Sequence, residues 1–234
     1  MEKLSYNCAI ITAAGSGSRM GSGIKKQFRP LGGIPVLIRT LGIFMESPLI
    51  DSIIITAPET DLELCRELIL QYFGDSPKPW KVIPGGVERQ DSIFGALQSC
   101  PEETDFVFIH DAVRPFITLS LIEELYAAVQ DSGAVIPVAR LKHTIKEVEG
   151  DLVQGTLERG SLVQVFTPQV FAHRSISLAY ARAFEDGITA TDDAAIMEHS
   201  GYPVRTLLSS ELNLKITDDL DWFYACLIID NNMI

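Results

Sequence analysis

Up to residue 139 the chain alternates short apolar runs with stretches whose apolar residues recur at helical spacing, and few folds accept that rhythm. The runs are Ala9–Thr12, Ile53–Thr56, Lys81–Ile83, Phe106–Ile109 and Ala134–Val138. Between them, Leu37, Leu41, Phe44 and Met45 mark one helix face; Leu62, Cys65, Ile69 and Tyr72 mark a second. Ile93, Ala96, Leu97 and Cys100 mark a third, and Ile122, Leu125 and Val129 a fourth. Strands separated by helices run parallel, because each crossover returns the chain to the same end of the sheet, and a parallel sheet needs both faces covered. The expected fold is therefore α/β and three-layered, a mostly parallel twisted sheet of Rossmann-like nucleotide-binding topology. Start signals agree: Pro35 at a helix entrance, and the capping boxes Thr60-x-x-Glu63 and Ser120-x-x-Glu123.

From about Arg140 to Phe171 the rhythm is lost. Thr144–Val148 alternates and reaches a turn at Glu149-Gly150-Asp151, and two β-like pieces, Gln154–Leu157 and Leu162–Phe166, flank Arg159-Gly160. This predicts a protruding β-arm over 140–171 with too few apolar residues for a core of its own, stable only when packed on something, such as a second copy of the chain. Two helices follow, Ser175–Phe184 and one capped by Thr191 with Asp192-Asp193 in its first turn. A strand at Val204–Leu208 comes next, and then a last helix opened by Thr217 and burying Leu220, Phe223, Tyr224 and Leu227. No repeat and no linker divides the chain, so 1–234 reads as one domain carrying the arm.

Composition narrows the function. No apolar run approaches the ~18 residues of a membrane span, and Met1–Asn7 lacks the apolar stretch of a secretory leader. Cys8, Cys65, Cys100 and Cys226 are widely spaced in apolar settings, as reduced core residues of a cytoplasmic protein would be. A net charge of −12 argues against nucleic acid as a partner. Yet from Lys3 to Met45 there is no Asp or Glu and there are six Lys or Arg. Within that island, the strand-like Cys8–Thr12 breaks into Ala13-Ala14-Gly15-Ser16-Gly17-Ser18, followed by Arg19, Lys25, Lys26 and Arg29. A strand that runs into small residues and then cations suits a polyphosphate, because backbone N–H groups can approach the ligand unhindered. It is not the dinucleotide fingerprint, since Met20 stands where the third glycine belongs, nor the G-x-x-x-x-G-K-[ST] loop, since Gln27 follows Lys26.

In a parallel sheet, ligands sit at the carboxyl ends of the strands. The glycine loop, Gly85–Ser92 and His110–Pro115 should therefore converge. Asp111 at a strand end either caps a turn or offers oxygen to Mg²⁺ or a ribose. Gly85-Gly86 is either an ordinary turn or, with Arg89 and Ser92, a backbone surface for a flat base. Lys215 between Leu214 and Ile216 is unusual for a solvated lysine, although an alternating edge strand would also explain it. Asp192-Asp193 reads as a helix start before it reads as a metal site. The four histidines form no metal motif and none pairs with a nucleophile at recognisable spacing.

G-x-G-x-R-M-G with a Lys seven residues after the Arg is similar to the signature loop of nucleotidyltransferases that act on sugar or polyol phosphates. Across the chain, in order, stand A-A-G-S-G-S-R-M-G, K-Q-F, G-G-V-E-R-Q-D-S, H-D-A-V-R-P-F, T-I-K, T-L-E-R, T-P-Q-V-F, T-D-D-A and N-L-K-I-T. Together they resemble the 2-C-methyl-D-erythritol 4-phosphate cytidylyltransferase family, which uses CTP in the non-mevalonate isoprenoid route. The resemblance implies that Arg19 and Lys26 stabilise charge at the α-phosphate and that Ala13, Ala14, Gly86, Arg89 and Ser92 line the cytosine pocket. It places Gly15, Asp111 and Ala112 near the ribose, with Gly17 in the nucleotide loop. Arg114, Thr167 and Lys215 would approach the sugar phosphate, joined by Thr144 and Arg159 from the arm of a partner subunit in a homodimer. Mg²⁺ would come mainly with the CTP phosphates, with Asp111 as its candidate protein ligand. Two positions depart from the family pattern: Lys25 stands where Pro is usual, and Val87 where Asp is usual. Other readings are a cytidylyltransferase for another polyol phosphate such as ribitol 5-phosphate, and a nucleotide-sensing module without catalysis. A glycosyltransferase is weakened by the absence of a D-x-D.

Overall fold

The structure, a computed structural model, describes residues 5–15 and 24–233. The chain opens with β1 (Tyr6–Thr12), the short ribbon β2 (Pro30–Leu31) and β3 (Ile34–Pro35), and α1 (Val36–Glu46). There follow β4 (Ser52–Ala57), α2 (Leu62–Phe73), β5 (Trp80–Pro84), α3 (Arg89–Gln98), β6 (Thr104–Asp111), α4 (Leu119–Ser132) and β7 (Ala134–Arg140). Then come β8 (Lys146–Glu149), β9 (Leu152–Thr156), β10 (Val163–Val165), β11 (Gln169–Ala172), α5 (His173–Glu185), α6 (Asp193–His199), β12 (Arg205–Leu208) and α7 (Asp219–Asp230).

β1 lies centrally, parallel to β4 on one side and to β6 on the other, and β5 extends the sheet beyond β4. Beyond β6, β11 runs antiparallel and joins β7, which also meets β10 antiparallel and β12 parallel. Strand period sorts the side chains: Ala9 and Ile11 face a core closed by α1, α2 and α4, while Cys8 and Ile10 face one closed by α3, α5 and α6. That two-sided burial is why these runs contain no polar alternation. A third, smaller cluster of Leu31, Val36, Val113, Phe116, Ile216, Ala225 and Ile228 fastens α7 to the edge of the first.

The three-layer, mostly parallel architecture is as expected. Several local details differ. α4 is capped by Thr118, whose hydroxyl accepts from Leu121 N at 3.2 Å, and not by Ser120. A 3₁₀ turn at Glu59–Asp61 leads into α2, so Thr60 forms no capping box. Asp192 and Asp218, rather than the threonines before them, cap α6 and α7, because their carboxylates reach Ala195 N and Asp221 N. Within 140–171, β10 and β11 join the central sheet; β8 and β9 pair only with each other, turning at Gly150 with φ +58°.

The largest departure is α7. Leu220, Phe223, Tyr224 and Leu227 were expected in the core, but they are 59, 56, 49 and 40% exposed. The helix is apolar nearly all round, and it is Ala225 and Ile228, with Trp222, Cys226 and Ile229, that meet the domain.

Candidate active site

The carboxyl ends of β1, β5 and β6 are tied together before any ligand arrives. Ala13 N donates to Thr56 O at 2.8 Å, Gly85 N to Ala57 O at 2.8 Å and Ala112 N to Thr12 O at 3.1 Å, so the ladders run on into the loops. Gln27, buried in the 3₁₀ turn Lys26–Phe28, donates to Ala13 O at 3.0 Å and Gly15 O at 3.2 Å. The glycine pair is there for closeness. A Cβ on Gly85 would lie 2.2 Å from Ala14 Cβ, and one on Gly86 would lie 2.1 Å from Asp91 Cβ. The loops enclose a cleft of about 360 Å³ lined by Ala13, Ala14, Gly15, Lys26, Gly86, Arg89, Ser92, Asp111 and Lys215 among others. Ala112 is buried behind it, and its carbonyl accepts from Thr40 Oγ1 at 2.8 Å.

Asp111 is the electrostatic hub. Its carboxylate is 3.4 Å from Arg89 Nε, 3.3 Å from Arg114 Nε and 2.9 Å from Lys215 Nζ. Burial alone would raise its pKa; Arg89, Lys215 and Arg114 outweigh burial and hold the carboxyl well below the usual carboxylate range. Ile216 N donates to Val113 O at 2.9 Å and thereby sets Lys215 over the cleft, although Lys215 lies in no strand. Arg89 carries a second partner, Asp193, which accepts from its two terminal nitrogens at 3.1 and 2.9 Å. Burial works against the Arg89 charge, but Asp193 and Asp111 prevail and raise its pKa.

Behind Asp111 runs a neutral chain. Asp111 N donates to Thr167 Oγ1 at 3.2 Å, and Thr167 Oγ1 lies 2.9 Å from His110 Nδ1. His110 Nε2 is 3.1 Å from Arg114 O, so the ring donates there and accepts from the threonine. Burial of His110 lowers its pKa to about 4. The folded value lies below the unfolded one, so the stabilising contribution is full above pH ~6.5 and is lost as pH falls through that value towards about 4. We expect a loss on the order of 3 kcal/mol across that window. Urea melts from pH 7.5 to 4.5 measure it, and an equally steep profile in His110→Gln would assign the slope elsewhere.

These placements revise the cation island. Lys25 pairs with Asp61 at 2.6 Å, and Arg29 stacks on the Trp222 ring at 3.9 Å. Lys26 is the member of the island that lines the cleft among the described residues; Gly17 and Arg19 lie outside them.

The family IspD, 2-C-methyl-D-erythritol 4-phosphate cytidylyltransferase, matches residues 7–231. The chain belongs to this cytidylyltransferase family. It is 41% identical over 222 residues to 2-C-methyl-D-erythritol 4-phosphate cytidylyltransferase of Symbiobacterium thermophilum, covering 94% of this chain and 92% of that one. The enzyme of the same name from Syntrophotalea carbinolica is 40% identical, with 94 and 95% covered. The crystal structure of 4-diphosphocytidyl-2C-methyl-D-erythritol synthase from Anaerococcus prevotii superposes with a TM-score of 0.86 at 28% identity, covering 97% of this chain and 96% of that one.

For a cytidylyltransferase, the remaining expected residues fall in two groups. Arg114 and Thr167 are buried and do not line the cleft; the Arg114 guanidinium spans Asp111 and Asn213 O (2.9 Å), and the Thr167 hydroxyl is engaged as above. Thr144 and Arg159 are exposed beside the β8–β9 ribbon and do not line their own chain's cleft. Val87, in place of the usual Asp, stands 95% exposed at the mouth. Nucleotidyltransferases generally use a divalent metal, but Asp111 does not fit as its resident ligand, because three cations already occupy the carboxylate. No group of three or more His, Cys, Asp or Glu is placed to hold a metal among the described residues.

Two residues that shape the site escaped the sequence reading. Gln27 sits inside K-Q-F beside more conspicuous lysines. Asp193 was hidden because two acids after Thr191 read as the ordinary first turn of a capped helix, which made the pair look explained.

Proposed function

We propose that this chain transfers CMP from CTP to 2-C-methyl-D-erythritol 4-phosphate, giving 4-diphosphocytidyl-2-C-methyl-D-erythritol and pyrophosphate. The observation that carries the reading is the cleft itself, where loops from three strand ends and the segment before α7 bring Lys26, Arg89, Asp111 and Lys215 together in a chain matched to the family over residues 7–231. The acceptor phosphate has a second pKa near ~6, so it is an anionic nucleophile at neutral pH without a general base. Its oxygen bonds to the α-phosphorus of CTP as the bond to the β-phosphate oxygen breaks in line, releasing pyrophosphate. His110 is fully buried and hydrogen-bonded at both nitrogens, in keeping with a mechanism that needs no base.

What the reaction demands is neutralisation and placement of two anions. Lys26, with Arg19, serves the triphosphate side. Lys215, backed by Arg114 and Thr167 around Asp111, serves the acceptor side. Ala13, Ala14, Gly86, Arg89 and Ser92 hold the base, and Gly15, Asp111 and Ala112 the ribose. Mg²⁺ arrives as part of the Mg·CTP substrate.

We further propose that the working unit is a cytoplasmic homodimer, in which the arm brings Thr144 and Arg159 to a partner's acceptor. Supporting this, Val148, Leu152 and Val153 on the ribbon are 60, 71 and 61% exposed, and α7 turns its own apolar stripe outward. Among the described residues no helix is long and apolar enough to cross a membrane.

Pyrophosphate release over a grid of nucleoside triphosphates and polyol phosphates with Mg²⁺ tests the reaction. CTP with 2-C-methyl-D-erythritol 4-phosphate should lead, and preference for ribitol 5-phosphate, or binding without release, would overturn it. For the shared site, inactive Arg159→Ala chains mixed with inactive Lys26→Ala chains should regain activity, since one composite site in the mixed dimer is intact. Verified mixed dimers with no recovery would exclude a site shared across subunits.

A further inference from the structure

Arg89 is a long side chain with several rotatable bonds, on a helix whose first turn opens into the cleft. A guanidinium in that position is useful to a ligand only if its direction is fixed beforehand, since ordering it on binding costs free energy. The structure shows how it is fixed. Asp193 is fully buried and accepts from both terminal nitrogens of Arg89, the planar fork-to-fork arrangement that sets orientation as well as distance. One oxygen of Asp193 also accepts from the Tyr180 hydroxyl at 2.5 Å, and Tyr180 is itself buried in α5. The carboxylate therefore cannot turn without breaking a second bond.

The segment that carries Asp193 is fastened in turn. Gln90, next to Arg89, donates to Ile188 O at 2.9 Å and accepts from Ala190 N at 3.1 Å. Gln169 of β11 donates to Asp192 at 2.9 Å and accepts from Ala194 N at 2.9 Å. Residues on either side of Asp193 are thus clamped to α3 and to the central sheet, although none of them lines the cleft.

We propose that Asp193, oriented by Tyr180, is the positioning residue that presets Arg89 for the nucleotide, so that the base-side wall of the cleft is built from α5 and α6 as much as from the loops. Without Asp193, the Asp111 carboxylate, already shared with Lys215 and Arg114, is the remaining acid paired with Arg89. The guanidinium would swing towards it, away from the base and into competition with Lys215. The inference rests on Arg89 facing the nucleotide, as proposed above. It concerns binding and not the chemical step, so it has a kinetic signature that a loss of folding does not share.

The test combines steady-state kinetics, direct CTP binding with Mg²⁺ by calorimetry, and melting temperature. Asp193→Asn keeps the shape and loses the charge; it should raise the CTP KM and Kd about tenfold or more, the scale of a charge-assisted hydrogen bond, with kcat within roughly threefold. Tyr180→Phe should raise both by roughly threefold while Asp193 and Arg89 remain. In an Arg89→Gln background, Asp193→Asn should add less than about twofold, because the two act as one unit. A CTP KM within about twofold of wild type in Asp193→Asn overturns the proposal, as does the same fold-change with and without Arg89. If Asp193→Asn does not fold, an unchanged CTP KM in folded Tyr180→Phe overturns it instead. Failure of the wild-type protein to bind CTP would overturn the reading of the cleft itself, an outcome distinct from all of these.

Discussion

Lys26→Ala should lower kcat by about 10²-fold or more, the effect of losing one preorganised donor at the place where charge develops. Lys26 stands in the 3₁₀ turn Lys26–Phe28 that follows the glycine-rich stretch in sequence, and it lines the cleft together with Gly86 and Arg89. The turn is anchored independently of the lysine, by Gln27 to Ala13 O and Gly15 O, and by Phe28 in the larger core. Removal of the lysine side chain should therefore leave these anchors of the turn in place while the rate collapses. Single-turnover pyrophosphate release separates the chemical step from product release. A fall of less than about threefold would remove Lys26 from the mechanism.

Asp111→Asn should damage both stability and rate. The carboxylate answers three cations, of which Arg114 is buried while Arg89 and Lys215 are partly open to water. Solvent screens the two open pairs, so most of the cost comes from Arg114, left as a buried charge without its acid. A destabilisation of about 3 kcal/mol is expected, which for a chain of this size is a melting temperature lower by roughly 6–12 °C. Activity should fall even at temperatures where the variant remains folded, because Arg89 and Lys215, which both line the cleft, lose a shared anchor. A neutral variant that melts within about 2 °C of wild type would show that the three cations are satisfied by water and backbone instead. The wild-type contribution is insensitive to pH in the physiological range, since a depressed carboxylate keeps its stabilising charge until the pH falls below the unfolded value of ~3.9.

The central sheet was legible because burial on both faces leaves an unmistakable mark: Ala9–Ile11 and Ile53–Ile55 are apolar without a break. The convergence of three loops followed from the parallel direction of their strands. What the sequence concealed is what depends on a choice between equivalent partners. In α7, Leu220, Phe223, Tyr224 and Leu227 make as good a helical stripe as Trp222, Ala225, Ile228 and Ile229, and periodicity does not say which stripe meets the domain. Threonine followed by acid offers two caps one residue apart, and at Asp192 and Asp218 the carboxylate won. Charge density marked the cation island, but not direction, and so Lys25 and Arg29 were counted towards a ligand when their partners are Asp61 and Trp222. Arg114 and Thr167 show the same limit from the other side, since a motif records that residues matter near a site without recording which layer of it they occupy.

The Lys25–Asp61 contact has its own consequence. A proline ring would restrict the backbone at position 25 permanently; this chain instead fastens that point with a 2.6 Å attraction between side chains that are 33 and 14% exposed. A ring cannot be dissolved by counter-ions, whereas an attraction at the surface fades as electrolyte accumulates around it. The residue that precedes Lys26, a lining residue of the cleft, is thereby moored by something the surrounding medium can loosen.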